Sequence, residues 1–167
     1  NMLVYAAKER KSFSEVSLNE IDRMIFSQLA YCNFELLPQV TNLRDLTSDD
    51  EIKTLTQGNL GGKNTEKLIK IMIKNPRFKN VAWYRAVSKV DAKTQMQFNA
   101  VTFNIADGEY YVAYRGTTAT TIGWKENFNM SFRDWVPAHY FARSYYRQIK
   151  DKFPGKFYIG GHSKGGN

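Results

Sequence analysis

One cysteine, Cys32, and two histidines, His139 and His162, occur in the 167 residues. A lone cysteine cannot form an intramolecular disulfide framework or a cysteine-based zinc site, and it fits a reducing compartment. The two histidines and the cysteine are not at metal-ligand spacing and the acids are scattered, so neither a metal nor a cofactor is expected. No run of about 18 apolar residues is present, which excludes a membrane-spanning helix. Residues 1–10 lack a basic segment followed by an apolar core and do not make a signal peptide. Asn1 is not an initiator methionine, so the chain reads as trimmed at that end. There is no internal repeat and no low-complexity tract.

What is present is enough for a folded core. Hydrophobic residues make up 43% of the chain, and its length suits one domain. The net charge is +8. Such an excess of lysine and arginine favours anionic surfaces, yet these residues are spread along the chain among acids, as general solubility also requires.

The richest stretch comes last. Phe157-Tyr158-Ile159 reads as a short buried strand and enters Gly161-x-Ser163-x-Gly165. That spacing is the one a nucleophilic serine needs. Its oxygen must stand clear of the backbone, beside a base and a set of N–H donors, and a sharp strand-to-helix turn achieves this at the cost of a strained serine. Side chains at Gly161 and Gly165 would collide with the neighbouring strand and helix. The turn also aims the Lys164 N–H at the place where a tetrahedral oxyanion would form. An idle serine in a glycine-rich turn has the same letters, so the motif needs support from elsewhere.

Upstream, residues 11–32 read as a first helical unit. Ser17 and Glu20 stand at capping-box spacing, and Leu18, Ile21, Met24, Ile25 and Leu29 form one apolar stripe. Thr47–Glu51 reads as a second helix start with acids in its first turn. Gly58 or Gly61-Gly62 ends that helix. Asn64 or Thr65 caps a third, with Leu68, Ile69, Met72 and Ile73 on one face and Lys67, Lys70 and Lys74 on another, either solvated or against phosphate. Asn75-Pro76 stops it. The pattern then changes to strands over residues 81–90, 96–105 and 110–115. They are joined by short turns, one of them Asp107-Gly108, which predicts an antiparallel meander. Residues 122–135 mix breakers with Trp124, Phe128, Phe132 and Trp135, as a lid or a packed loop would. Pro137 opens a helix with Ala138, Ala142, Tyr145 and Ile149 on one face. Strand, helix, strand in that order predicts a parallel crossover pair.

Two separated motifs then agree. Tyr111-Val112-Ala113-Tyr114-Arg115-Gly116-Thr117 and Gly161-His162-Ser163-Lys164-Gly165-Gly166 together resemble the lipase class 3 branch of the α/β-hydrolases. With Gly123-Trp124-Lys125-Glu126 and Phe128-Asn129-Met130, the chain is most similar to the Mbeg1-like group of bacterial lipase-like proteins. The resemblance implies an α/β fold of hydrolase type, of which residues 1–167 form one incomplete domain. Residues 1–78 would be a mainly helical segment, and residues 79–167 would hold the sheet, a lid-like loop and the nucleophile elbow. It implies Ser163 as nucleophile, the N–H of Thr117 and that of Lys164 as the oxyanion hole, and residues 122–135 as the lid. His162 would be structural. In such hydrolases the acid and the base follow the serine. His139, Asp107 and Asp134 make no case for those roles, so the triad would be completed by a C-terminal remainder of the same protein.

The expected activity is hydrolysis of carboxylic esters, with a lipid or small acyl ester as substrate. The expected location is cytoplasmic, with peripheral contact to an anionic membrane surface. The alternative is a non-catalytic module on a hydrolase scaffold that binds anionic membrane or, less expected, nucleic acid.

Overall fold

A computed structural model describes residues 1–38, 42–59, 61–94, 96–117, 128, 130 and 135–166. Among them are five helices and four strands. The helices are α1 (Met2–Lys8), α2 (Glu20–Leu29), α3 (Asp49–Thr56), α4 (Gly62–Met72) and α5 (Pro137–Lys152). The strands are β1 (Ala82–Asp91), β2 (Met96–Ala106), β3 (Glu109–Tyr114) and β4 (Lys156–Gly161).

The strands lie in the order β1-β2-β3-β4. The first three pair antiparallel, as the meander pattern predicts, and β3 pairs parallel with β4 through the connection that contains α5. Gly108 takes φ +62° in the β2–β3 turn beside Asp107, a backbone shape that glycine adopts freely. Alternation along β2 sends Val101, Phe103 and Ile105 to one face and Met96, Phe98 and Ala100 to the other. The first face packs on α1–α4, where Phe26 meets Phe103 and Tyr111 at ring distances of 5.1 and 5.3 Å. The second packs on α5 through Ala138, Tyr145 and Ile149. The sheet is therefore buried between helices on both faces, an α/β arrangement.

Several local expectations are corrected. Residues 11–17 are not helical, because the buried Arg77 guanidinium takes the carbonyls of Lys11, Val16 and Ser17 at 2.7, 3.1 and 3.3 Å. A helix would need those carbonyls for its own ladder. Arg77 is held in turn by Asp22, at 3.0 and 2.5 Å, with both side chains fully buried. The capping box of α2 lies two residues beyond Ser17. Asn19 Oδ1 accepts from the Ile21 and Asp22 N–H groups, and Asp22 accepts from the Asn19 N–H. Met24, placed on the apolar stripe, is exposed; the inward face carries Asp22, Ile25, Phe26 and Leu29, at i, i+3, i+4 and i+7, and Met24 falls outside it.

Two further differences concern helix starts. The N-terminal helix α1 was not expected; Asn1 caps it by accepting from the Leu3 N–H, and Asn75 Nδ2 donates to the Ala6 carbonyl oxygen. Helix α4 starts at Gly62, ahead of Asn64 and Thr65. Thr65 is buried inside its first turn, donating to the Gly61 carbonyl oxygen and accepting from Gln28 Nε2. On that helix Lys70 is paired with Asp49 and Glu66 at 3.0 and 2.9 Å, so this lysine is already matched by acids.

Strand β4 also differs from expectation. It is only partly buried, and Ile159 is 51% exposed, because β4 stands last in the sheet order with β3 on one side.

Candidate active site

Strand β4 delivers the chain to Gly161, and a single 3₁₀ turn, Ser163–Gly166, follows. Ser163 is exposed and has φ +56°. A non-glycine residue in this left-handed region is strained, typically by about 1–3 kcal/mol, and is found where surrounding structure enforces it. Two kinds of contact enforce it here. The Gly165 N–H donates to the His162 carbonyl oxygen at 3.0 Å and closes the turn. The glycines on either side let the backbones touch: a Cβ on Gly161 would overlap the Gly165 carbonyl, and one on Gly165 would overlap the Tyr114 carbonyl. Glycine is needed at both positions for space.

The Arg115-Gly116-Thr117 segment leaves the end of β3 and meets the turn. Gly116 is buried so closely that a Cβ there would stand 2.5 Å from the His162 carbonyl oxygen and 3.1 Å from Ser163 Cβ. The residue before Thr117 thus lies against the serine. Strand β2 anchors both pieces. Asn99 accepts from the Arg115 N–H at 3.0 Å through its carbonyl and from Arg115 Nη2 at 2.5 Å through Oδ1. The Gln97 carbonyl oxygen accepts from Lys164 Nζ at 2.8 Å. Burial pulls the Arg115 pKa below the usual guanidinium value, against the opposing pull of Glu35 and Tyr31.

Tyr31, which no sequence motif singles out, completes the arrangement. It is buried just past the end of α2, and its oxygen lies 2.9 Å from His162 Nδ1. Burial raises its pKa, and the neighbouring Gly116 backbone and the Arg115 charge pull it back. Tyr31 and His162 are 131 residues apart, so no local pattern announces the contact.

Beside the turn a cavity of about 220 Å³ opens between β2, β3 and α5. Phe98, Tyr114, Ala138 and Ala142 give it apolar walls, and Arg115 and Lys164 bring cationic groups to its edge. His139 also lines it, but its Nδ1 accepts from the Val136 N–H at 3.3 Å and its ring stands edge-on to Trp135, so it serves the start of α5. Asp107 is in the β2–β3 turn. Asp134 and most of the expected lid over residues 122–135 lie outside the described residues; Phe128 and Trp135, which belong to it, are exposed.

Among the described residues, no three His, Cys, Asp or Glu side chains gather as metal ligands would, and no helix is long and apolar enough to cross a membrane. What the arrangement can do chemically is present one exposed hydroxyl on a strained turn, with backbone from a second loop packed against it.

The Mbeg1-like family model matches residues 72–167, more than half of the chain. No curated protein and no solved structure matches it.

Proposed function

The chain belongs to the Mbeg1-like family, and on that footing we propose that it is the nucleophile-bearing part of a serine ester hydrolase with the α/β-hydrolase fold of class 3 lipases. Ser163 Oγ attacks the ester carbonyl carbon, a general base takes its proton, and the alkoxide leaves to give an acyl-enzyme that water then cleaves. The N–H groups of Thr117 and Lys164 hold the tetrahedral oxyanion. Gly161 and Gly165 allow the turn. The base and its orienting acid come from outside residues 1–167, since His139 and His162 are each engaged structurally.

The observation that carries this reading is the left-handed Ser163, flanked by glycines that have no room for a Cβ and backed by Gly116. Strain of that kind in a serine, with the next loop pressed against it, suits a nucleophile and has no evident packing purpose. The test is a fluorophosphonate probe on the whole protein, read by intact mass. One adduct is expected, absent in Ser163→Ala. No adduct, or an adduct that survives the substitution, would overturn the reading.

A second reading rests on the surface at the start of α5. Trp135, Tyr140 and Phe141 are exposed there, Lys89 Nζ lies 5.1 Å from the Phe141 ring centre, and Arg143 and Arg147 are exposed on the following turns. Amphipathic rings beside cations suit an anionic bilayer interface. As a binding module, the chain would associate with phosphatidylserine vesicles and release as salt rises; binding insensitive to salt would refute the electrostatic version.

A further inference from the structure

The Tyr31 oxygen reaches two segments that the proposed chemistry needs in register. One is the loop of Gly116 and Thr117; the other is the turn of His162, Ser163 and Lys164. A phenol oxygen has one proton to give and lone pairs to accept with. Gly116 packs directly against the same oxygen. The Tyr31 oxygen also lies 2.9 Å from His162 Nδ1, and one proton, from the phenol or from the ring nitrogen, makes that bond. The fit leaves no slack: a Cβ on Gly116 would overlap the Tyr31 oxygen, and the Tyr31 and His162 rings meet edge to face at 5.7 Å.

We propose that Tyr31 is a positioning residue, whose hydroxyl fixes the loop of Thr117 against the turn of Lys164 so that their two N–H groups converge on one point. This rests on the reading of those two groups as the oxyanion donors. Tyr31 touches neither Ser163 Oγ nor substrate in this role. It acts through backbone geometry, and a misplacement of about 1 Å at such a site can cost on the order of a hundredfold in rate. Phenylalanine at this position would keep the buried ring and remove the bond to His162 Nδ1.

The experiment compares Tyr31→Phe, His162→Leu and the double variant in the whole protein. With a short-chain nitrophenyl ester, kcat is expected to fall about 10- to 100-fold in each single variant, with KM changed less than about twofold. The double variant should lose no more than Tyr31→Phe alone, because that change already removes the bond that His162→Leu breaks. In parallel, NMR spectra should show the His162 Nδ1 signal shifting in Tyr31→Phe, together with the Gly116 and Thr117 amide signals. An active wild type with kcat unchanged in Tyr31→Phe overturns the proposal, as do unmoved His162, Gly116 and Thr117 signals. A wild type that neither hydrolyses esters nor takes the fluorophosphonate removes the hydrolase reading instead, and the spectra alone then decide whether Tyr31 ties the two segments.

Discussion

Gly116 and Ser163 touch: a Cβ on the glycine would lie 3.1 Å from that of the serine, and 2.5 Å from the carbonyl oxygen of the residue before it. These are backbone and near-backbone atoms, which cannot swing aside as the end of a long side chain can. Gly116→Ala must therefore push the loop of Thr117 away from the turn. Overpacking of this kind costs about 1–3 kcal/mol. The expected result is a lower melting temperature with a larger loss of fluorophosphonate labelling at Ser163. Labelling at the wild-type rate would mean that the loop plays no part in activating the serine.

The backbone at Ser163 predicts a split between stability and activity. Its φ of +56° is costly for serine and also for alanine, and free for glycine. Ser163→Gly should be more stable than wild type by about 1 kcal/mol, whereas Ser163→Ala should stay close to wild type. Both should lose the adduct. Urea unfolding of the three proteins checks this, and equal midpoints for Gly and Ala variants would show that the turn is not strained.

What was legible in the chain and what was not divide along sequence distance. The alternation of β1–β3, the Asp107-Gly108 turn, Pro137 at the first position of α5 and the Gly161-Ser163-Gly165 spacing are local, and each was readable from a handful of neighbouring residues. Helix starts were missed by a residue or two, at Asn19 and Gly62, and α1 was missed altogether; the other failures are contacts made from afar. Residues 11–17 look helical until Arg77, some sixty residues on, takes their carbonyls. Met24 belongs to an apolar stripe on spacing alone, but the sheet it would have to reach is met by Phe26. At the site, the same rule separates the serine and its glycines, found by spacing, from Tyr31, Asn99 and Gln97, which only the folded chain brings beside them.

The Asp22–Arg77 pair predicts a steep dependence of the N-terminal half on one charge. Both side chains are fully buried, and Arg77 also lies over the Phe13 ring, 4.1 Å from its centre. Desolvation works against the charged guanidinium, while the bonds from Asp22 hold its pKa up. Asp22→Asn would leave a buried cation without its counter-ion, a loss of about 3–5 kcal/mol. It also weakens the cap of α2. Thermal unfolding should shift down by many degrees, and proteolysis should begin in residues 11–17 once their carbonyls are released. A loss below about 1 kcal/mol would show that Arg77 is held by those carbonyls alone.

Alkaline pH should destabilise the fold through a side chain that no part of the site uses. Cys32 is fully buried, and burial pushes its thiol from an ordinary 9.0 to about 12, with Glu35 adding to the rise. Burial likewise raises the phenols of Tyr31, Tyr111, Tyr114 and Tyr145. A raised pKa means that the folded state keeps a proton that the unfolded chain releases. The unfolded chain then binds fewer protons, and stability falls as pH rises. The contribution of Cys32 is whole below pH 9.0 and is lost progressively toward pH 12. Since phenols ordinarily release their protons near pH 10, the first part of the decline belongs to the thiol. Urea unfolding at about pH 8, 9 and 10 should therefore show a falling free energy in wild type and a flatter line in Cys32→Ala, whatever that variant loses at neutral pH from its missing sulfur. Parallel lines would mean that the thiol ionises as easily in the folded protein as in the unfolded one. The same burial makes Cys32 slow to react with thiol reagents at neutral pH until the chain unfolds.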